Sequence, residues 1–261
     1  MPGKDLAPRE VDEMTIRDFF PTSEHPAPAV SPTEEGFGQE AEVEDWEIDR
    51  ALEKRSHKSA PGPDQIPYIV WKKIHKENHK IIPWLMSNLL KWSTYPEILK
   101  YSWGILLPKQ GKTEYKSPKN FQVIALMQTF RKILERLVAR RLAKLAWNGA
   151  YKREQMCSVA GRSCSDAAMA LYQRVTEYQF SGKKVSSMFL DIKGGFDHVR
   201  HDELIRMLKR KRCPDYLTSW ISNFIAYRLC TLLFPGWPKK THRINTGIPQ
   251  GSPLSPLLFV T

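Results

Sequence analysis

Asp191 is the residue around which chemistry can be built. It lies near the end of an apolar run in Ser187-Met188-Phe189-Leu190-Asp191-Ile192-Lys193-Gly194-Gly195-Phe196-Asp197-His198-Val199. The run reads as a buried strand, and the glycine pair breaks it and turns the backbone sharply. A carboxylate fixed at a strand end beside a glycine turn and an aromatic suits a place where a hard cation meets a phosphate. The same residues also describe an ordinary Asp in a turn. His198 and His201 could be imagined as a metal pair, but Asp202 and Glu203 open a helix there, and that reading puts both histidines at the surface.

A second stretch, Gly247-Ile248-Pro249-Gln250-Gly251-Ser252-Pro253-Leu254-Ser255-Pro256-Leu257-Leu258-Phe259, moves the balance toward chemistry. Alone, its Pro249-Gln250-Gly251 loop would be an ordinary turn. Lys109 and Lys112 bracket a glycine at what should be a hairpin tip, from which a lysine can reach a triphosphate as a point charge.

These residues need elements to hold them. Tyr101 to Pro108 reads as a strand leading into the lysine tip. Asp45 to His57 places Ile48, Ala51 and Leu52 on one face of a short amphipathic helix. Pro67 sits at the first turn of a helix over Tyr68 to His75, and Pro83 opens another over Trp84 to Trp92. Thr129 to Leu145 interleaves Ile133, Leu134, Leu137, Leu142 and Leu145 with Arg131, Lys132, Arg136, Arg140, Arg141 and Lys144. Its apolar face reads as core, and its basic face as tracking a nucleic-acid backbone. Ala167 to Phe180 is a further helix, and Ser255 onward begins an apolar one.

Charge is unevenly placed. The 261 residues carry a formal charge of +12, yet residues 1–60 hold 15 acidic against 7 basic side chains, and residues 61–261 hold 33 basic against 13 acidic. The body is a polycation, which favours a polyphosphate partner over merely solvated lysines. Residues 1–44 are acidic and Pro-rich without a sustained period, the composition of a disordered leader. Cys157, Cys164, Cys213 and Cys230 lack the paired short spacing of a zinc site and read as free intracellular thiols. No apolar run approaches the roughly 20 residues a membrane helix needs.

The two central stretches together resemble motifs A and B of the reverse transcriptases of non-LTR (LINE-like) retrotransposons, and earlier segments match in the right order. Ala60-Pro61-Gly62-Pro63-Asp64-Gln65-Ile66-Pro67 resembles the family's Ala-Pro-Gly-Pro-Asp-Gly-Ile-Pro signature, with Gln65 where glycine is usual. Phe121-Gln122-Val123-Ile124-Ala125-Leu126 resembles its Tyr-Arg-Pro-Ile-Ser-Leu segment, with Gln122 where the arginine stands. Gln155 to Ala167 keeps Gln155, Gly161, Arg162, Ser163 and Asp166 of a further motif.

The resemblance implies an α+β right-hand polymerase fold, with fingers over 45–180 and part of the palm over 181–261. The implied activity is RNA-directed DNA synthesis by two-metal nucleotidyl transfer, with Mg²⁺ or Mn²⁺ as cofactor and an RNA template, a DNA primer and dNTPs as partners. It implies Asp191 as the catalytic carboxylate, with the Ile192 carbonyl as a further metal ligand, and a structural Asp197. Lys109, Lys112, Phe196, Pro249, Gln250 and Gly251 are implied at the nucleotide, with Phe196 as the aromatic gate against a ribose 2′-hydroxyl. Viral RNA polymerases have an aspartate at that place. Arg136, Arg140, Arg141, Lys144 and Arg162 are expected along the nucleic acid. The family's other metal carboxylates lie in an Ala-Asp-Asp hairpin not found in this sequence, so the chain is expected to be a truncated and by itself inactive fragment, nuclear or with element RNA in the cytoplasm. A noncatalytic nucleic-acid-binding remnant and an unrelated basic scaffold are the competing readings.

Overall fold

The strand expected at Tyr101 to Pro108 is the hub of the sheet. A computed structural model describes residues 21–22, 36–53, 55, 59–111, 120–147, 154–159, 161–192, 194–233 and 239–260. Its elements are helices α1 (Asp45–Leu52), α2 (Tyr68–Glu77), α3 (Ile81–Lys91) and α4 (Glu97–Lys100), then strands β1 (Tyr101–Pro108) and β2 (Phe121–Leu126). Helices α5 (Thr129–Trp147), α6 (Cys164–Phe180), α7 (His201–Arg210) and α8 (Asp215–Ile225), strands β3 (Arg228–Leu233) and β4 (Thr241–Ile244), and helix α9 (Ser255–Phe259) follow.

The sheet runs β2-β1-β3-β4. β1 and β2 form the expected antiparallel hairpin, Trp103 opposite Leu126 and Pro108 opposite Phe121. β3 lies parallel on the other side of β1, and β4 returns antiparallel to β3. Gly104 permits this packing, because a Cβ there would sit 2.8 Å from Leu232 Cδ2 and 2.9 Å from Cys230 Sγ. Val123, Cys230, Leu232 and Ile244 make a small core on that face.

The larger core is helical and draws on α1, α3, α5, α7, α8 and α9. Trp220 and Phe224 stack at 5.6 Å with Tyr95 edge-on to both. Arg131 enters this apolar cluster over the Tyr95 and Phe224 rings and pairs with Glu135 one turn on. The buried guanidinium is partly satisfied, Nε by the Glu135 pair and Nη1 by the Leu99 carbonyl at 2.9 Å, while Nη2 has no hydrogen-bond partner.

Four expectations are corrected. Residues 187–192 are extended but join no sheet among the described residues, and Met188, Phe189 and Leu190 are each more than 80% exposed. Apolar composition sets a preference for a strand, but a strand exists only with a neighbour to complete its ladder. His201 is buried and not a surface residue, because it begins the apolar stripe His201, Leu204, Leu208 of α7. Arg131, counted with the basic face of α5, is core. Residues 36–44, read by composition as leader, carry a short 3₁₀ turn and bury Ala41 and Val43. The rest of that leader, apart from 21–22, lies outside the described residues.

Candidate nucleotide and template site

The site is built where residues 246–252 cross the end of β2. Gln250 carbonyl oxygen accepts from the Ala125 amide at 3.1 Å. Its side chain donates from Nε2 to both oxygens of Asp197, at 3.1 and 3.0 Å, and its Oε1 accepts from Gln122 Nε2 at 3.3 Å. A single amide therefore ties β2 to the turn after Asp191. Gly251 has φ +101°, and a Cβ there would lie 3.1 Å from the Ala125 carbonyl, so glycine is required for the crossing. Gly247, at φ +68°, is required more strictly, since its Cβ would meet the Asp197 and Phe196 carbonyls at 2.5 and 2.7 Å. The close approach is fixed by Gly247 N–H donating to the Val199 carbonyl and Ile248 N–H donating to Phe196, at 3.0 and 2.8 Å.

Behind this loop lies a buried polar network. Arg228 donates to the Thr246 and Gly247 carbonyls, the latter at 2.8 Å, and His201 Nε2 donates to the same Gly247 oxygen at 2.7 Å. Burial pushes Arg228 down to about 10, which leaves it charged at neutral pH. Burial, and then Arg228, pushes His201 down to about 4, so the ring is neutral. Burial pushes the Asp197 carboxyl up to about 6 against the opposing Gln250 bond and the His198, Arg228 and Lys109 charges. Ser252 Oγ donates to Glu135 at 2.6 Å, joining the loop to the Arg131–Glu135 pair in α5. Sequence reasoning missed this network. Its signal was present: Arg131, Glu135, Val138 and Leu142 share one face of α5, and that face is core. A cavity of about 30 Å³ beside Asp197, Arg228 and Gln250 has room for a water or two and not for a nucleotide.

The expected site residues fall in three places. Pro249, Gln250, Gly251 and Phe196 come together; Phe196 packs edge-on to Phe259 at 5.0 Å, and a side chain at Gly195 would strike that ring. Lys109 ends β1 on the same side, close enough for its charge to act on Asp197, and Lys112 lies outside the described residues. Asp191 and Ile192 stand apart on the exposed extended stretch.

Of the basic residues, Arg141 is committed to protein. It pairs with Glu47 and donates to the Glu40 and Glu42 carbonyls and the Tyr216 hydroxyl. Burial works to raise the Glu47 carboxyl, and Arg141 outweighs it, so Glu47 lies below the usual carboxylate value. Arg136 stacks over Tyr68 at 5.1 Å, and Arg140 donates to the Arg50 carbonyl at 2.6 Å. Lys144 stands exposed over Trp46 at 4.8 Å. Arg162 caps the Gln155 turn at 2.5 Å. Helix α1 thus covers much of the face of α5 expected to meet a template.

The loop 60–67 behaves as its signature implies. Gln65 adopts φ +56° without glycine, Thr129 Oγ1 donates to the Ile66 carbonyl at 2.6 Å, and Trp71 Nε1 donates to Thr129 at 2.8 Å. Ser163 and Asp166 form a reciprocal cap that starts α6 at Cys164.

Residues 107–261 match the family described as Reverse transcriptase (RNA-dependent DNA polymerase). The chain belongs to the reverse transcriptase family. It is 25% identical over 221 residues, 83% of its length, to a protein of Drosophila melanogaster named as a probable RNA-directed DNA polymerase from transposon X-element. It is 25% identical over 216 residues, 82% of the chain, to the RNA-directed DNA polymerase from mobile element jockey of the same fly. It is 25% identical over 205 residues, 77% of the chain, to a retrovirus-related Pol polyprotein from a type-1 retrotransposable element R2 of Nasonia vitripennis. The chain spans 24%, 23% and 19% of these relatives. The mixed sheet and helices described above are thus the α+β framework of a reverse transcriptase domain. Among the described residues no helix is long and apolar enough to cross a membrane.

Proposed function

We propose that this chain is part of an RNA-directed DNA polymerase of a non-LTR retrotransposon, contributing fingers and part of the palm to copying RNA from a DNA primer with dNTPs and Mg²⁺. The observation that carries the reading is the Gln250 junction. A loop of the polymerase signature lies across the fingers strand and holds the turn after Asp191, with Gly251 bringing its backbone against β2.

The residues present do not fit a two-cation centre. Two cations roughly 3.5 to 4 Å apart need several carboxylates. Asp191 offers one, and Asp197 is engaged by Gln250 and protonates near pH 6. Among the described residues the one grouping of three metal-capable side chains lies elsewhere, at Asp45, His75 and His79. The chain's own contribution is therefore one carboxylate, Asp191, and the positioning of the nucleotide. On this reading Phe196, braced by Phe259, would exclude a 2′-hydroxyl, and Lys109 would meet a phosphate.

The test is primer extension on an RNA template. The chain alone should extend nothing. Joined to the C-terminal continuation of a jockey-type relative, it should extend with Mg²⁺ and lose that activity on Asp191→Asn. Undiminished extension by Asp191→Asn sinks the assignment. A noncatalytic nucleic-acid-binding role is the second reading, favoured by Gln122, whose amide is engaged by Gln250 and carries no charge toward a triphosphate. It predicts a joined chain that binds RNA with an affinity falling steeply in salt and extends nothing.

A further inference from the structure

Two i, i+4 pairs face each other far from the polymerase signature. Asp45 and Asp49 lie one turn apart on α1, and His75 on α2 and His79 just beyond it are spaced the same way. His75 Nε2 is 3.3 Å from Asp45 Oδ1 and 3.2 Å from Asp49 Oδ1, and His79 Nδ1 is 3.3 Å from Asp45 Oδ2. One ligand atom from each of Asp45, His75 and His79 falls within 4.8 Å of the others.

His75 makes this more than a surface charge cluster. The side chain is 4% exposed, and neither ring nitrogen has a hydrogen-bond partner. Nε2 sits at contact distance from two carboxylates, but neither is placed to accept an N–H. A neutral ring nitrogen presenting its lone pair to two anions is repelled by both, and burying it so is costly. A cation shared among them removes the conflict. The separations agree with one: ligands at the usual Zn–N and Zn–O distances of about 2.0–2.2 Å stand roughly 3.3–3.5 Å apart at the corners of a tetrahedron. Two carboxylates and two neutral imidazoles also balance a divalent charge.

We propose that Asp45, Asp49, His75 and His79 form a structural Zn²⁺ site that clamps α1 to α2. Asp45, His75 and His79 are already gathered, and Asp49 Oδ1, 3.2 Å from His75 Nε2, would be the fourth ligand that closes the tetrahedron, as a structural site requires. Its consequence runs along α1, because Glu47, between the two aspartates, holds Arg141 of α5. The cation thereby secures the segment that covers α5, independently of whether the chain polymerises nucleotides.

The test uses the full chain, stripped with a chelator and titrated with Zn²⁺ by calorimetry and with Co²⁺ by visible absorption. One equivalent should bind, Co²⁺ should show the intense d–d absorption of tetrahedral coordination, and Zn²⁺ should raise the melting temperature. His79→Ala and Asp45→Asn, both at exposed positions that folding tolerates, should each weaken Zn²⁺ binding at least about tenfold and abolish the thermal shift. The double variant Cys157→Ser, Cys164→Ser should bind as the unaltered chain does. The proposal is overturned by the absence of saturable binding, by binding indifferent to His79→Ala and Asp45→Asn, or by binding lost with the cysteines.

Discussion

Asp197→Asn isolates the cost of keeping a carboxylate behind the Gln250 loop. Its carboxyl is raised from 3.8 to about 6, mostly by burial. That difference, at about 1.4 kcal/mol per pH unit, means the charged form destabilises the fold by about 3 kcal/mol above pH 6. Between pH 6 and 3.8 the folded state binds a proton that the unfolded state does not, so this penalty is relieved as pH falls. His201, lowered from 6.5 to about 4, works the other way. Below pH 6.5 the unfolded chain binds a proton that the folded one refuses, so stability of about 3 kcal/mol is lost as pH falls to 4. In the unaltered chain the two slopes nearly cancel. Asparagine keeps an oxygen for the Gln250 amide and carries no charge. Asp197→Asn should therefore gain up to about 3 kcal/mol at pH 7 and expose the His201 slope, becoming steadily less stable from pH 6.5 to 4. Urea unfolding of both proteins across that range measures it. A difference between them that is independent of pH would refute the argument, because Asp197 would then titrate alike folded and unfolded.

Gly62→Ala should destabilise by about 3 kcal/mol or more, since its Cβ would strike the Gln128 backbone, which cannot yield as a flexible side chain does; thermal denaturation reads it. Arg141→Ala should lower stability by about 3 kcal/mol by leaving Glu47 buried without its partner, while RNA affinity in a filter-binding assay stays unchanged. Loss of affinity at unchanged stability would return Arg141 to the template. In a chain joined to the C-terminal half of a relative, Gln122→Arg should lower the KM for dNTP about tenfold by adding a charge-assisted bond, and Gln122→Lys should recover less. An arginine variant with unaltered steady-state kinetics would mean that position 122 does not face the triphosphate.

Elements with their own periodicity were legible from the residues. The β1–β2 hairpin and α5 declare themselves through alternation and a sustained apolar stripe, both local properties, while the helix read from Ala167 begins at Cys164 on the Ser163 cap. Partnership is what composition withholds. Arg141 has the charge to bind phosphate, and nothing in the sequence of α5 says that Glu47 of α1 will take it. His201 was readable in principle, because His201, Leu204 and Leu208 share the buried stripe of α7. The 187–192 run has every residue preference of a strand and still has no ladder among the described residues, because strand formation depends on a second segment that the preferences of the first do not specify. The glycines at 247 and 251 were the most informative single letters at the site, since a required positive φ is a backbone fact that one residue type announces.

The exposed run from Val185 to Ile192 governs how this chain behaves in a tube. Val185, Met188, Phe189, Leu190 and Ile192 face solvent on an extended backbone that joins no sheet among the described residues, following a helix, α6, none of whose residues is buried. An unprotected, apolar, extended segment is the template on which identical chains stack into cross-β aggregates. Lys183 and Lys184 sit immediately before it as charged gatekeepers, which slow such stacking without removing the cause. Solubility of the isolated polypeptide is therefore set by some eight residues rather than by its strongly cationic whole. Substituting lysine for Phe189 should do more to keep it dispersed than any change of buffer ionic strength.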